Sequence, residues 1–209
     1  MRATGDMKLE KALRTGAAAG ADGASEASAA AQRLSRRIAA EGLADVVFAP
    51  IDSPFGTLHA AATRRGLVRL AFPEESEQAV VGRLAERISP RIVEAPGMLD
   101  DVKRELDEYF DGRRKTFELK LDWTLMSAFA HKVLTHTAAI PYGAHSTYAE
   151  MALASGSPRG ARAAGNALGS NPIPIVIPCH RVLYSGGGLG GYGGGLDRKR
   201  WLLELEGAL

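Results

Sequence analysis

The sequence predicts an α+β protein in which a small antiparallel sheet with helices precedes a helical domain that contains a helix-turn-helix. Short β-prone runs separated by turn residues occupy the first half of the chain, and apolar residues recur at helical spacing from position 126 onward. The character of the sequence changes near Asp122. We expect a variable, partly helical N-terminal extension at 1–44, an α/β domain at 45–122 and a helical domain at 123–209.

Composition excludes several classes of protein. The 209 residues are 45% hydrophobic and 24% charged, and no apolar run approaches the roughly 18 to 20 residues of a membrane span. No continuous apolar stretch follows the basic residues near the N-terminus, so a secretory signal is not supported. The single cysteine allows no internal disulfide, and the five histidines show no metal-ligand spacing. We expect a cytoplasmic, monomeric protein with no metal, no cofactor and no membrane partner.

The first half combines an extension with a compact α/β pattern. Residues 1–27 are rich in Ala, Gly, Ser and charge, and we expect them to be mobile or loosely packed. A helix with Ser28 as its N-cap is predicted at 28–42. Three β-prone runs predict an antiparallel meander, at 46–49, 56–62 and 67–72. Two helices and one further strand are predicted after it, at 76–88, 99–110 and 117–121.

A pair of short helices is predicted in the second half, after a longer helix that ends at the breaker Pro141-Tyr142-Gly143. Thr147 and Glu150 form a capping-box pattern that opens the first short helix. Ser155-Gly156 ends it, and Ser157-Pro158 is a suitable N-cap and first-turn pair for the second. Two short helices joined by a tight turn are typical of a helix-turn-helix, although many helical hairpins bind nothing.

Small residues dominate the second of these helices and leave Arg162 as the only long side chain along most of its length. Such a surface suits the minor groove of DNA, roughly 6 Å wide, better than base-edge readout in the major groove. The last 85 positions carry seven Lys/Arg against four Asp/Glu, which permits nucleic-acid binding. The alternative is a helix packed tightly against a neighbour. The small residues are Gly160, Ala161, Ala163, Ala164, Gly165 and Ala167.

The chain before Cys179 is stiffened by Pro172, Pro174 and Pro178, which fix φ and remove hydrogen-bond donors. A free cysteine is usually a small buried hydrophobe. Here, however, His180 follows directly, and histidine is the side chain that can accept a thiol proton near neutral pH. Adjacent side chains of an extended segment point apart, so contact between the two requires either a turn or a bridging water.

A glycine-rich loop at 185–195 follows, with Tyr192 in its middle as an aromatic wall for a planar base. Glycine lets backbone N–H groups approach a ligand closely, but the loop lacks the lysine and the spacing of a phosphate-binding loop. A flexible linker is the alternative interpretation. The last predicted helix, at 198–205, precedes Glu206, which is either a functional carboxylate or a solvated end charge.

An ordered set of motifs in the second half is similar to one family. The motifs are Ile140-Pro141-Tyr142-Gly143, Thr147-Tyr148, Ala161-Arg162, Asn171-Pro172, Pro178-Cys179-His180-Arg181-Val182, Gly191-Tyr192-Gly193-Gly194 and Trp201-Leu202-Leu203. Together they resemble the O6-alkylguanine-DNA alkyltransferases, also called methylated-DNA-protein-cysteine methyltransferases. The resemblance is strong over 129–207, diffuse over 46–122 and absent from 1–44. It implies a ribonuclease H-like N-terminal domain and a helical C-terminal domain that binds DNA and carries the chemistry.

The resemblance also implies a reaction, the irreversible and stoichiometric transfer of an alkyl group from O6-alkylguanine in double-stranded DNA to Cys179 after base flipping. By the same resemblance His180 is the water-linked base that forms the thiolate, and Glu206 is the carboxylate that orients and charges that histidine. Asn171 ties the recognition helix to the active-site turn. Tyr148 crowds the neighbouring phosphate and donates to the flipped guanine. O4-alkylthymine as a substrate and cooperative binding to DNA are left open.

Further binding positions are implied by the family pattern. Arg162 would push into the base stack where the damaged nucleotide leaves. Backbone groups of Cys179, Val182 and Gly193 would contact the guanine edge. The substrate-binding positions are Val182, Tyr192, Gly193, Pro174 and Leu168. The DNA-binding positions are Arg162, Tyr148, Thr147, Ala161, Ala163 and Gly165.

Two other classes of function compete with this prediction. A cysteine hydrolase would use Cys179 and His180, but the sequence shows no independent Asn or Asp partner at a recognisable position. A module that recognises DNA lesions without chemistry would need no reactive thiol, and related proteins of that kind replace the cysteine that this chain retains. A hydrolase would continue to form product, and a binding module would form none, so both differ from a transfer that stops after one alkyl group per protein.

Overall fold

A computed structural model describes residues 29–30, 33–35, 37–38 and 41–209 of the chain. Of the helix predicted at 28–42, the described positions 29–30, 33–35 and 37–38 are helical. Its other residues up to position 40, including the predicted N-cap Ser28, lie outside the described residues, as does the segment 1–27. Within the described part of the chain, no helix is both long enough and apolar enough to cross a membrane.

The N-terminal half forms one four-stranded sheet with the strands β1 (Val46–Ile51), β2 (Leu58–Thr63), β3 (Gly66–Ala71) and β4 (Ile92–Glu94). Their order across the sheet is β3-β2-β1-β4. The predicted meander is confirmed, since β2 pairs antiparallel with both β1 and β3. The sequence analysis missed β4, a short strand that pairs parallel with β1 at the edge of the sheet. Its three residues are too few to show a period of two.

Two helices pack beside this sheet, α1 (Glu77–Arg87) and α2 (Asp100–Phe110), and both agree with the predicted positions. Ser76 caps α1 by accepting a hydrogen bond from the backbone N–H of Ala79. The strand predicted at 117–121 is wrong. That segment forms only an isolated bridge between Leu67 and Leu121, because its hydrogen bonds to β3 are confined to the backbone of Leu67.

The C-terminal half is mainly helical, with one short parallel ladder that sets the geometry of the site. Its strands are β5 (Ser146–Thr147) and β6 (Val182–Leu183). Its helices are α3 (Ala128–Ala138), α4 (Tyr148–Ala154), α5 (Ala161–Gly169) and α6 (Leu196–Leu205), with a 3-10 turn at Cys179–Arg181. The predicted fold class is therefore confirmed: a mixed sheet with helices, then a helical domain with a helix-turn-helix.

The first helix of the pair α4–α5 begins where the capping box predicts, but the second helix starts later than the predicted N-cap at Ser157. Thr147 accepts from the backbone N–H of Glu150 at 3.2 Å, and the Glu150 carboxylate accepts from the Thr147 N–H at 2.8 Å, which completes the capping box. The prediction that Ser157 is the N-cap of the second helix is wrong. Ser157 instead closes a turn, accepting from the Gly160 N–H at 2.8 Å, and α5 begins at Ala161. A Cβ on Gly160 would lie 2.9 Å from the Ser157 Cβ and 3.0 Å from its carbonyl oxygen, so a larger residue there would force the turn to shift.

The two halves share one large hydrophobic core, and a smaller second cluster packs α1 against the sheet. The Phe55 and Trp201 rings meet edge to face across the boundary, with centroids 5.0 Å apart. Arg198 of α6 stacks over Phe72 at 4.8 Å and donates to Glu74 at 2.9 Å. These contacts hold the glycine-rich loop against the end of β3.

Candidate active site

The segment that leads to Cys179 is a tight, buried turn rather than a plain extended strand. The Val176 N–H donates to the Pro174 carbonyl at 2.9 Å, and the Ile177 N–H donates to the Ile173 carbonyl at 2.9 Å. Ile175 adopts φ 74°, a conformation that a β-branched residue rarely takes. Strained backbone of this kind persists only where surrounding packing enforces it, and Ile175 is fully buried. The turn therefore holds the cysteine in one fixed position.

Asn171 fixes the thiol directly. Its Nδ2 donates to Cys179 Sγ at 3.1 Å and to the Ile177 carbonyl at 2.9 Å, while its Oδ1 accepts from the Ile173 N–H at 3.0 Å. The Asn171 backbone N–H donates to the carbonyl of Leu168 in α5 at 3.2 Å. Asn171 therefore connects α5 with the turn that carries the thiol.

The surroundings of the Cys179 thiol favour its protonated form. Burial raises the pKa of Cys179 to about 11, although the Asn171 hydrogen bond and the nearby Lys199 charge act in the opposite direction. A thiol with this pKa needs a base to become the nucleophilic thiolate near neutral pH. His180, which follows it on the turn, is a residue of the type that can accept a thiol proton near neutral pH.

His180 is completely buried and is held by Glu206. Its Nε2 lies 2.9 Å from Glu206 Oε1, so Nε2 carries the proton and donates to the carboxylate. Burial lowers the pKa of His180, and this effect outweighs the opposing effect of Glu206. The lowered pKa keeps the imidazole neutral near pH 7. The Nδ1 atom then has a free lone pair, and it has no hydrogen-bond partner among the described residues. This arrangement leaves a base available on the side of the ring away from Glu206.

Glu206 is buried, so the interpretation as a solvated end charge is wrong. Arg181 donates to its two oxygens at 2.9 and 2.8 Å, and the Tyr109 hydroxyl donates at 2.7 Å. Burial alone would raise the pKa of Glu206, but the hydrogen bonds from His180 and Arg181 lower it to about 2. The carboxylate is thus ionised, and Arg181 balances its charge.

The glycine-rich loop is anchored by Lys199, a residue that the sequence analysis missed. The Lys199 side chain is fully buried. Its ammonium group donates to the carbonyls of Val182 at 2.6 Å, Leu189 and Gly191. Burial lowers the pKa of Lys199 to about 8. Helical spacing gave a usable signal, because Lys199 lies on the same face of α6 as the buried Leu202 and Leu203.

Two cavities meet at Cys179. One, of about 680 Å³, opens beside α4 and α5 and is called the helix-side cavity; Tyr148 and Arg162 line it. The other, of about 610 Å³, lies between the end of β3 and the turn before Cys179 and is called the interdomain cavity; Asn171 and Pro174 line it. The residues that line both are Leu168, Gly169, Cys179, Tyr192 and Gly193.

Most of the predicted DNA-binding positions line the helix-side cavity. Arg162 is exposed on α5, and Tyr148 donates to the Gly191 carbonyl at 3.2 Å. Gly165 of α5 faces the Tyr148 ring, where an added Cβ would make an ordinary contact at 3.6 Å. Four of the predicted positions line this cavity: Tyr148, Ala161, Arg162 and Gly165.

Three of the predicted substrate-binding and DNA-binding positions lie outside both cavity linings. Thr147 serves as the N-cap of α4, and Ala163 is exposed on α5. Val182 is fully buried, and its carbonyl accepts the hydrogen bond from Lys199. A carbonyl has two lone pairs, so this bond does not prevent a second contact. Tyr184, which the sequence analysis did not single out, lines the helix-side cavity.

Comparison with known proteins identifies the family. The family model for the ribonuclease-like domain of 6-O-methylguanine DNA methyltransferase matches residues 46–123, and the model for its DNA-binding domain matches residues 128–208. The chain belongs to this family. The methyltransferase is 39% identical to the methylated-DNA-protein-cysteine methyltransferase of Methanosarcina barkeri over 158 residues, which is 75% of this chain and 94% of the relative.

Further relatives extend the comparison. The methylated-DNA-protein-cysteine methyltransferase of Mycobacterium tuberculosis is 39% identical over 156 residues, covering 75% of this chain and 89% of the relative. The crystal structure of M. tuberculosis OGT in complex with DNA superposes with a TM-score of 0.67 at 37% identity, covering 78% of this methyltransferase and 93% of that chain. The family and the enzyme class expected from the sequence are both confirmed.

Proposed function

We propose that this methyltransferase repairs DNA by moving the alkyl group of O6-alkylguanine irreversibly onto Cys179. The observation that carries the proposal is the position of Cys179. Its thiol lies where a cavity beside a helix-turn-helix ends, and it adjoins a neutral histidine that is held by an ionised carboxylate. The names of the relatives, which contain both methylated DNA and a protein cysteine, support the same substrate and acceptor.

The proposed proton path runs from the thiol to Nδ1 of His180 through a water molecule. Two buried polar atoms near the thiol have no hydrogen-bond partner among the described residues, His180 Nδ1 and the Tyr192 hydroxyl, and buried polar atoms of this kind are usually satisfied by water. Proton transfer would create an imidazolium beside Glu206. The carboxylate stabilises that charge, which is the role that the resemblance implied for it.

The transfer step forms one bond and breaks another. The thiolate sulfur attacks the alkyl carbon in line, the bond between that carbon and O6 breaks, and the electron pair leaves with the guanine. The departing guanine accepts a hydrogen bond from the Tyr148 hydroxyl at the cavity and takes up a proton from water, while His180 releases the former thiol proton to water, so the proton count balances. Asn171 holds the sulfur in place through its 3.1 Å hydrogen bond. The product is a thioether, which water does not cleave.

The proposed substrate reaches the thiol by leaving the double helix. An O6 atom stacked inside a duplex is out of reach of a thiol that is 6% exposed at the end of a cavity. Insertion of Arg162 from α5 into the minor groove would replace part of the lost stacking. The small side chains around Arg162 permit the close approach to the duplex that this insertion requires.

We also propose the organisation that the sequence predicted: an N-terminal extension at 1–44, an α/β domain at 45–122 and a DNA-binding and alkyl-transfer domain at 123–209. The protein would act as a monomer on double-stranded DNA, since one chain supplies every group named in the reaction. A cytoplasmic location fits the chemistry, because the acceptor must remain a free thiol.

Stoichiometry tests the proposal against its alternatives. The protein is mixed with a large excess of a duplex that contains O6-methylguanine, and methyl transfer is followed to completion. We expect a burst that stops at about one methyl group per protein molecule, found by mass spectrometry on the peptide with Cys179. Continued product formation would identify a hydrolase or demethylase. Binding without transfer would identify a module that only recognises lesions.

A further inference from the structure

Tyr184 is an exposed aromatic side chain at the opening of the helix-side cavity. It is 59% exposed, and it lines the cavity together with Tyr148 and Arg162. The reaction proposed above gives it no role. A large aromatic ring left in water beside a site for a planar substrate therefore requires a separate explanation.

The position of Tyr184 follows from the short ladder between β5 and β6. The ladder is parallel and pairs Thr147 with Leu183, so Tyr148 and Tyr184 follow at equivalent positions. The two chain segments therefore leave the ladder side by side, Tyr148 at the start of α4 and Tyr184 directly after β6. The two rings pack together, with centroids 5.2 Å apart and planes inclined by 46°. The register of two backbone segments thus places a second aromatic ring beside Tyr148.

A tight turn holds the backbone of Tyr184 in place. Its N–H donates to the Gly188 carbonyl at 2.9 Å, and its own carbonyl accepts from the Gly187 N–H at 2.9 Å. Gly187 has φ 81°, which favours glycine at that position. The Tyr184 ring therefore packs against Tyr148, and the turn fixes the backbone that carries it. More than half of the residue's surface remains exposed to solvent.

The surroundings of Tyr184 favour a nucleobase as its partner. Aromatic rings at nucleic-acid surfaces stack on bases whatever the sequence, because every base has a π face. Arg162, on the same cavity lining, supplies a positive charge, and α5 supplies a surface of small residues. A protein partner would be expected to need a larger apolar surface than this single ring.

We propose that Tyr184 stacks on a base of the DNA strand from which the damaged guanine is extruded, and so holds the duplex at the opening of the cavity. This inference rests on the proposed function, since it requires a flipped guanine in the helix-side cavity. Tyr184 would then be a DNA-contact residue that does not touch the reacting atoms. A free O6-alkylguanine base, which has no neighbouring nucleotides, would not use it.

The test compares Tyr184→Ala and Tyr184→Phe with the parent protein on two substrates, a duplex containing O6-methylguanine and free O6-benzylguanine. The matched control is Met98→Ala, which removes another exposed large side chain, 48% exposed and outside both cavity linings. Because the loss of the ring removes the stacking contact with the base, we expect Tyr184→Ala to react with the duplex about tenfold more slowly, which corresponds to about 1.4 kcal/mol. Tyr184→Phe should stay within about twofold of the parent, and all variants should consume the free base alike.

A base analogue shows whether the ring touches DNA. With 2-aminopurine beside the lesion, the parent and Tyr184→Phe should quench its fluorescence on binding, and Tyr184→Ala should quench it less. Equal losses on duplex and free base would overturn the proposal, because Tyr184 would then only support Tyr148. Unchanged duplex kinetics for Tyr184→Ala would also overturn it while leaving the proposed function intact. Failure of the parent protein to transfer methyl from the duplex would overturn both.

Discussion

The hydroxyl of Tyr109 donates a 2.7 Å hydrogen bond to the carboxylate of Glu206, across 97 positions of sequence. Tyr109 belongs to α2 of the N-terminal half, whereas Glu206 follows the last helix of the C-terminal half. Burial and the neighbouring Glu206 charge raise the pKa of Tyr109, so the hydroxyl remains a donor at neutral pH. The N-terminal half therefore contributes to the surroundings of His180 and does more than support the fold.

Replacing Glu206 by glutamine should slow alkyl transfer and raise the apparent pKa of the thiol. The neutral amide cannot stabilise an imidazolium at His180, so proton removal from Cys179 becomes less favourable. The measurement is the rate of methyl transfer from a duplex as a function of pH. A pH profile identical to that of the parent would show that Glu206 has no part in ionising the thiol.

The pH dependence of the free energy of unfolding should show the stabilising effect of the ionised Glu206 carboxylate. The pKa of Glu206 is about 2 in the folded protein against an ordinary value of 4.5, so its ionised form stabilises the fold above about pH 4.5. That contribution decreases as the pH falls from 4.5 toward 2. The free energy of unfolding of the parent protein should fall more steeply in this range than that of Glu206→Gln. Denaturant titrations at several pH values test this, and parallel pH dependences would contradict it.

Replacing Cys179 by serine should abolish alkyl transfer and leave DNA binding intact. A hydroxyl is far less acidic than a thiol, so a neutral histidine cannot ionise it near pH 7. The exposed residues of α5, including Arg162, are not altered by the change. Methyl transfer and the affinity for an unmodified duplex are measured on the same preparation. Residual transfer near the parent rate would exclude Cys179 as the acceptor.

Replacing Arg162 by alanine should slow the repair of duplex DNA far more than the reaction with a free O6-alkylguanine base. Only the duplex reaction requires extrusion of the base, which costs a few kcal/mol. Arg159→Ala is the matched control, because Arg159 is also exposed but lies outside the helix-side cavity lining. If both substrates lose rate equally, Arg162 supports the fold instead of the extrusion.

Replacing Lys199 by methionine should slow the reaction with both substrates. The change leaves three backbone carbonyls without their donor and loosens the loop that carries Tyr192. The matched control is Arg200→Met, which removes an exposed charge from the same helix. Rates and thermal unfolding are compared for both variants. A loss confined to duplex DNA would indicate that Lys199 acts on DNA binding rather than on the pocket.

The sequence by itself determined the elements with strong local signals and the residues at the centre of the site. The capping box at Thr147 and Glu150 specifies the start of α4 locally, and the prolines before Cys179 restrict its backbone in any context. The ordered motifs around Cys179 and His180 were sufficient to predict the family. The strand expected at 117–121 was wrong because an alternating pattern does not by itself supply a paired neighbour.

Only the tertiary structure decided which groups meet. The burial of Glu206, its bond from Tyr109 and the carbonyl partners of Lys199 depend on packing between residues far apart in the chain, which local periodicity does not encode. The placement of Tyr184 beside Tyr148 likewise depends on the register of a two-residue ladder. Local sequence restricts φ, caps and turns, whereas the pKa of a buried group depends on neighbours that only the folded chain brings together.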